Sequence, residues 1–222
     1  MPYRKEPLII GQYYHIFNRG IDGMTIFKET SNYSRFMELL SYYNHVNPNK
    51  TFSVYSKSIP SIQQKILSSL NSKKQLVEIL CFCLMPNHYH LILHQSQDNG
   101  ISTFLRIIQN AYAKYFNTKY KRSGPLMQSA FQVRLIDSDE KLYHVSRYVH
   151  LNPSTANLVQ TDQLQDYSMS SYPSYIGKTS LSFISTSLIL NNFHTRNNYK
   201  KFVIDQADYQ KELKHIKDQI ID

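Results

Sequence analysis

The chain has 222 residues and a formal charge of +9, from 25 Lys plus Arg against 16 Asp plus Glu. Hydrophobic residues make up 41% and aromatic residues 13%, which is enough to fill a core and excludes a wholly disordered chain. No apolar run reaches about 18 residues, so we expect neither a transmembrane helix nor a membrane partner. The excess positive charge beside 18 Tyr and 11 Phe favours a surface that binds phosphates and stacks bases.

The N-terminal residues and the cysteines indicate the cellular compartment in which we expect the protein. The first residues lack the long apolar stretch of a secretory signal. Cys81 and Cys83 lie two apart in one strand-like run, where a disulfide between them would be strained. We therefore expect free thiols in a reducing cytoplasm.

The first third of the chain predicts a strand, a helix and an insertion. Alternating polarity predicts a strand over 10–18, closed by Asn18-Arg19-Gly20. Apolar residues at helical spacing predict a helix over 31–46. The segment 48–76 is rich in Ser and Lys, and we interpret it as an insertion with one short helix.

The middle of the chain predicts a hairpin followed by a helix. The apolar run 77–85 reads as a buried strand, Met85-Pro86-Asn87 as a turn, and 88–94 as the returning strand. An amphipathic pattern predicts a helix over 101–118.

A last strand and helix complete the pattern. Residues 130–136 predict a strand, and Asp137 is the expected cap of the next helix, with Glu140 three residues on. That helix is expected to end near Leu151, because Asn152 precedes Pro153. The order β-α-β-β-α-β, then α, predicts an α+β fold: a ferredoxin-like antiparallel sheet with helices on one face and the other face open.

His88-Tyr89-His90 is the first candidate site. Alternate side chains of a strand share a face, so both imidazoles point the same way and could bind one cation. Two solvated strand histidines are the alternative. If Pro86 and Asn87 alone form the loop, Cys83 lies opposite His90, and a structural zinc site with both histidines is a further alternative.

Tyr148 and Asn152 form the second candidate pair. Positions i and i+4 share a helix face, so the phenol of Tyr148 and the amide oxygen of Asn152 face the same space. Asn152 could add a neutral oxygen ligand to the two imidazoles and leave metal positions open for phosphate oxygens. A packed tyrosine beside a capping asparagine is the alternative.

These motifs together resemble a known family. MPNHYHLIL, followed by RYVHLNP, resembles the HUH single-tyrosine transposases, specifically the REP-associated tyrosine transposases of the IS200-like group. The resemblance covers about residues 10–177 and includes YYHIFNRGIDGMTIF, KYFNTKYKRSGPLMQSAF and DYSMSSYPSYIG. Two departures are the bulky Tyr89 between the histidines and the long insertion at 48–76.

The resemblance implies an activity and a residue for each role. His88 and His90 match the metal-binding histidines, Tyr148 matches the nucleophile, and Asn152 falls where the group places an amide ligand. The implied reaction is metal-dependent cleavage and rejoining of single-stranded, hairpin-flanked DNA through a 5′-phosphotyrosine, with Mg²⁺ or Mn²⁺ as cofactor. Residues 1–177 would form this catalytic domain, as a monomer or homodimer, and 178–222 a helical C-terminal extension.

Basic residues near the second helix and last strand are the candidate DNA contacts: Arg19, Lys114, Lys119, Lys121, Arg122 and Arg134. The alternative is that these side chains form a charged, solvated rim and do not contact DNA. A non-catalytic protein that binds single-stranded nucleic acid on the same fold is the alternative function. His144, one turn before Tyr148, could orient the phenol, and His15 stays unassigned.

Overall fold

The computed structural model describes residues 7–45, 48 and 50–212. Four strands form one sheet in the order β2-β3-β1-β4, with every neighbouring pair antiparallel. The strands are β1 (Tyr13–Arg19), β2 (Val77–Met85), β3 (His88–Gln95) and β4 (Gln132–Ile136). The α-helices are α1 (Thr30–Tyr43), α2 (Phe52–Lys57), α3 (Pro60–Asn71), α4 (Gly100–Lys119), α5 (Asp139–Thr155), α6 (Tyr172–Tyr175), α7 (Ser187–Phe193) and α8 (Arg196–Ile204). The predicted α+β, ferredoxin-like class is confirmed, and no helix of the described residues is long and apolar enough to cross a bilayer.

Helices α1 and α4 pack on one face of the sheet, which we call the helix face. Tyr14 of β1 and Tyr89 of β3 are fully buried there. The Tyr89 hydroxyl accepts a hydrogen bond of 2.6 Å from the Gln109 amide of α4. Because neighbouring strand residues alternate between faces, burying Tyr89 directs His88 and His90 to the opposite face, the site face.

The site face is partly covered, whereas the sequence predicted it open. Helix α5 packs across β2, and Leu142 and Val149 of α5 join a second core with Cys81 and Cys83. Helices α6, α7 and α8 add Tyr172, Tyr175, Ile189 and Tyr199 to the same core. Arg19 of β1 and Arg134 of β4 stay exposed on the site face. A pocket forms where α5 meets the ends of β1 and β2 and the start of β3.

The insertion contains two helices instead of the predicted one. Pro60 occupies the first turn of α3, where its missing N–H costs no hydrogen bond, so the helix starts anew after Ser58 and Ile59. The hairpin α2–α3 leads into the start of β2 at Val77, at the opposite end of that strand from Met85.

Both predicted bounds of α5 are wrong. The N-cap is Ser138 rather than Asp137, because its side chain accepts a hydrogen bond from the Lys141 N–H, while Asp137 pairs with the Lys141 ammonium at 3.3 Å. The helix continues past Pro153 to Thr155. A proline in the last turn removes only one hydrogen bond, and the Ala156 N–H still donates to the Asn152 carbonyl at 2.9 Å.

The predicted helical C-terminal extension, 178–222, falls partly outside the described range. Residues 207–212 are helical, and 213–222 lie beyond the residues that the structure describes. Gln206, Tyr209 and Gln210 border the pocket on the site face.

Candidate active site

A two-residue loop, Pro86–Asn87, holds the start of β3 in place. Its carbonyls accept hydrogen bonds from main-chain N–H groups of the segment after β1: Gly20 to Asn87 at 2.8 Å, and Ile26 to Pro86 at 2.8 Å. The strand register then places Arg19 and Met85 on either side of His88. Three segments of the chain therefore fix the position of the first histidine.

The two histidines of β3 share the site face, as the alternation predicts. Their ring centroids are 5.1 Å apart, and their planes are nearly perpendicular. The Nδ1 atom of His88 lies 2.6 Å from Oδ1 of Asn87, and Nδ1 of His90 lies 3.0 Å from Nε2 of His15. With both Nδ1 atoms engaged, Nε2 is the ring atom that each histidine can offer to a metal ion.

Helix α5 brings Tyr148 against the imidazoles of His90 and His15. The phenol ring meets His90 edge-on at 5.5 Å between centroids and His15 at 5.8 Å. The side chain keeps 41% of its surface exposed, so it lies at the mouth of the pocket rather than inside the core. A phenol in this position touches the imidazoles and can still meet a substrate from solvent.

Asn152 lies one turn further along α5 and lines the same cavity of about 450 Å³ as His88 and Tyr148. Its Nδ2 donates a hydrogen bond of 2.8 Å to the Tyr148 carbonyl. Because that bond uses the nitrogen, the amide oxygen is the atom of Asn152 that suits a metal ion. Arg19 lines the same cavity and gives its rim a positive charge.

Partial or full burial favours the neutral forms of His15, His90 and Tyr148. It lowers the pKa of His90 well below the ordinary value, and charge on His15 or His88 would lower it further. Burial, with a smaller contribution from the charge of Arg134, lowers the pKa of His15 to about 4. The pKa of the Tyr148 phenol is raised, mainly by burial. Neutral imidazoles are the form that binds metal, and a neutral phenol must lose its proton to act as a nucleophile.

These pKa shifts predict a loss of stability in mild acid. A histidine whose folded pKa is lowered takes up a proton mainly when the chain unfolds, so its contribution is lost as the pH falls below about 6.5. For His15, the pKa of about 4 corresponds to about 2 kcal/mol of unfolding free energy lost between pH 7 and pH 5. Urea unfolding at pH 7 and at pH 5 measures this loss. In His15→Gln the unfolding free energy should fall less between the two pH values. An equal fall in the variant and in the unmodified protein would contradict the prediction.

His15, Asn87 and Arg147 are site residues to which the sequence alone assigns no role in the site. His15 lies on the same face of β1 as Phe17 and Arg19, because alternate residues of a strand share a face. Only the pairing of β1 with β3 shows that this is also the face of His90. Arg147 lines the cavity, and its guanidinium lies 4.4 Å from the centre of the Phe202 ring.

The zinc alternative gains no support. Cys83 does lie opposite His90, as the two-residue loop requires. However, its thiol is fully buried, burial raises its pKa, and Sγ lies 3.7 Å from Sδ of Met85. A cysteine binds zinc as its thiolate, and within the described residues no three His, Cys, Asp or Glu side chains form a metal-holding group.

Three other histidines make contacts outside this cluster. His144 lines the cavity, but its Nδ1 accepts a hydrogen bond of 2.7 Å from Arg147. His150 is fully buried between Tyr199 and Ser171 and has a structural role. His94 lies at the far end of β3, beside Glu78.

The six candidate DNA contacts divide between two sides of the sheet. Arg19 and Arg134 lie on the site face, since they pair with His88 and His15 across the strands. The others lie at the C-terminal end of α4 and in the turn that follows: Lys114, Lys119, Lys121 and Arg122. Two of these have intramolecular partners, because Lys119 pairs with Glu29 at 2.7 Å and Arg122 donates to Asn117 at 2.8 Å.

Comparison with known proteins gives a structural relative and a family. A structure described as the REP-associated tyrosine transposase bound to a REP hairpin superposes with a TM-score of 0.52 and 16% sequence identity, over 83% of this chain and 98% of that one. This likeness shows a shared fold. No curated protein matches the sequence. The family model described as "Transposase IS200 like" matches residues 39–152, just over half of the chain and the stretch that holds His88, His90, Tyr148 and Asn152, so the chain belongs to the IS200-like transposase family.

Proposed function

We propose that this chain cleaves and rejoins single-stranded DNA, with Tyr148 as the nucleophile. The observation that carries the proposal is the position of the phenol, 5.5 Å between ring centroids from His90 and open to solvent. Residues from β1, β3 and α5 of one chain form the whole cluster, so a monomer has the groups that the reaction needs.

The residues present fit a divalent metal ion. His88 and His90 would hold it through Nε2, and Asn152 through its amide oxygen, which leaves positions for water and phosphate oxygens. Imidazole favours Mn²⁺ over Mg²⁺, so Mn²⁺ should be the better activator in vitro. When bound, the ion supplies Lewis acidity to a non-bridging phosphate oxygen.

The chain's own groups carry out the bond exchange. The Tyr148 hydroxyl attacks phosphorus and gives its proton to solvent, while the P–O3′ bond breaks and the 3′ oxygen takes up a proton. The product is a 5′-phosphotyrosine and a free 3′-hydroxyl. Because the phosphotyrosine ester conserves the energy of the broken bond, a 3′-hydroxyl can reverse the step and join new DNA. Arg19 stabilises the charged phosphate from the rim of the cavity.

A hairpin is the DNA form that we propose as substrate. The solved relative of the same fold is described as bound to a REP hairpin. A folded-back stem places a single-stranded flank beside a duplex, and basic side chains on both sides of the sheet can contact the two parts.

The deciding experiment incubates the protein with a hairpin oligonucleotide and Mn²⁺, followed by denaturing electrophoresis. A protein–DNA band that survives denaturation, and that EDTA prevents, is the expected result. Retarded but uncleaved DNA under native conditions would instead indicate a non-catalytic binding protein.

Binding should depend strongly on salt. Each phosphate that a basic side chain neutralises contributes about −0.7 to the slope of log K against log salt for a single strand. The side chains of Arg19 and Arg134 both lie on the site face. We therefore expect Arg19→Ala and Arg134→Ala each to reduce the magnitude of the slope by about 0.7, the contribution of one phosphate contact. Lys119→Ala should change the slope less, because Glu29 already neutralises that ammonium. A fluorescence titration at several salt concentrations measures this, and a slope near zero would contradict it.

A further inference from the structure

His15 forms a contact that the reaction described above does not use. Its Nε2 lies 3.0 Å from Nδ1 of His90, and the two rings are stacked with an angle of 20° between their planes. Both side chains are buried, and each belongs to a central strand of the sheet. At this distance one ring must donate a hydrogen and the other must accept it.

Only one of the two arrangements leaves His90 able to bind a metal ion. A neutral imidazole carries one N–H and one lone pair. If His15 donated to Nδ1 of His90, the N–H of His90 would lie on Nε2, where no ligand bond can form. If His90 donates from Nδ1, its Nε2 lone pair points away from His15 and is available to the ion.

The other histidine has a partner of the same kind. Oδ1 of Asn87 lies 2.6 Å from Nδ1 of His88 and can only accept, so it fixes the N–H of His88 on Nδ1. An acceptor on the Nδ1 side of each ring is the arrangement that orients histidine ligands in metal sites. His15 completes this pattern for His90.

We infer that His15 is a positioning residue that accepts a hydrogen bond from Nδ1 of His90 and thereby presents Nε2 of His90 to the metal ion. The inference rests on the proposed function, because it assigns a role toward the same ion. His15 itself touches neither the ion nor the DNA.

Mn²⁺ binding to the DNA-free protein provides the test. His15→Gln keeps an acceptor oxygen near the position of Nε2, whereas His15→Phe keeps the ring and removes the acceptor. We expect His15→Phe to weaken Mn²⁺ binding by about 10- to 100-fold, and His15→Gln to restore most of the loss. Titration calorimetry measures the affinity, and thermal unfolding checks that both variants are folded. His94→Phe, on the same face of β3, is the matched control and should bind Mn²⁺ like the unmodified protein.

The outcomes separate this inference from the proposed function. If the unmodified protein binds no Mn²⁺, or if His90→Ala binds it equally well, the metal site itself is wrong. If His90→Ala abolishes binding but His15→Phe does not weaken it, only the role of His15 is wrong.

A tautomer measurement decides the matter without any variant. Long-range ¹H–¹⁵N correlation spectra of the Mg²⁺-loaded protein should show the N–H of His90 on Nδ1 and an unprotonated Nε2 on His15. An N–H on Nε2 of His15 that points at His90 would overturn the inference, even if His15→Phe failed to fold.

Discussion

Replacing Tyr148 with Phe should abolish the covalent protein–DNA adduct and leave hairpin binding unchanged. The substitution removes only the hydroxyl that would attack phosphorus, and the ring keeps its edge-on contacts with His90 and His15. The hydrogen bond from Asn152 goes to the Tyr148 carbonyl, so it survives the change. With the side chain 41% exposed, we expect the melting temperature to stay close to that of the unmodified protein.

The labelling scheme makes this result specific. Since tyrosine retains the 5′-phosphate, a 3′-labelled oligonucleotide should shift with the protein on a denaturing gel, and a 5′-labelled one should give a shorter free strand. Tyr143→Phe is the matched control, because Tyr143 lies on the same helix but packs against Phe193. An adduct formed by Tyr148→Phe, or lost in Tyr143→Phe, would show that another residue is the nucleophile.

Replacing His88 with Ala should remove most of the metal-dependent cleavage. The loss of an imidazole ligand takes away Lewis-acid stabilisation worth several kcal/mol, which is about 10²- to 10⁴-fold in rate. His88 is only partly buried, and the main-chain bonds of the Pro86–Asn87 loop do not involve its side chain, so the hairpin should still fold. Initial rates of strand cleavage at several Mn²⁺ concentrations measure the effect.

His94→Ala is the control for this experiment. His94 lies on the same face of the same strand, but its neighbours are Tyr13 and Glu78 at the other end of the sheet. Cleavage by His94→Ala should therefore match that of the unmodified protein. If both variants lost activity equally, the effect would come from the strand rather than from a metal ligand.

The sequence predicted the elements that depend on local patterns. The apolar run 77–85 and the Pro86–Asn87 turn specify the β2–β3 hairpin, and its two-residue loop alone determines that His90 lies opposite Cys83. The spacing of Tyr148 and Asn152 places both on one side of α5. Each of these inferences needs only the periodicity of a strand or a helix.

Features that depend on tertiary contacts could not be predicted in this way. The partner of His15 follows from β1 lying between β3 and β4, which no local pattern specifies. The docking of α5 on the site face depends on a second core that includes side chains from α7 and α8. The continuation of α5 through Pro153 depends on how its last turn is capped, and the rule for residues before proline does not include that.

The α2–α3 hairpin packs against α1 on the helix face, where Phe52 and Tyr55 contact Tyr42. It leads into β2 at Val77, whereas Met85, at the other end of that strand, faces His88. Eight residue steps of a strand span about 26 Å. The exposed connection between these two helices is therefore a convenient place for a fluorescent label or a fused reporter domain. A label at this position would allow DNA binding to be followed in single-molecule experiments without changing the residues around His88, His90 and Tyr148.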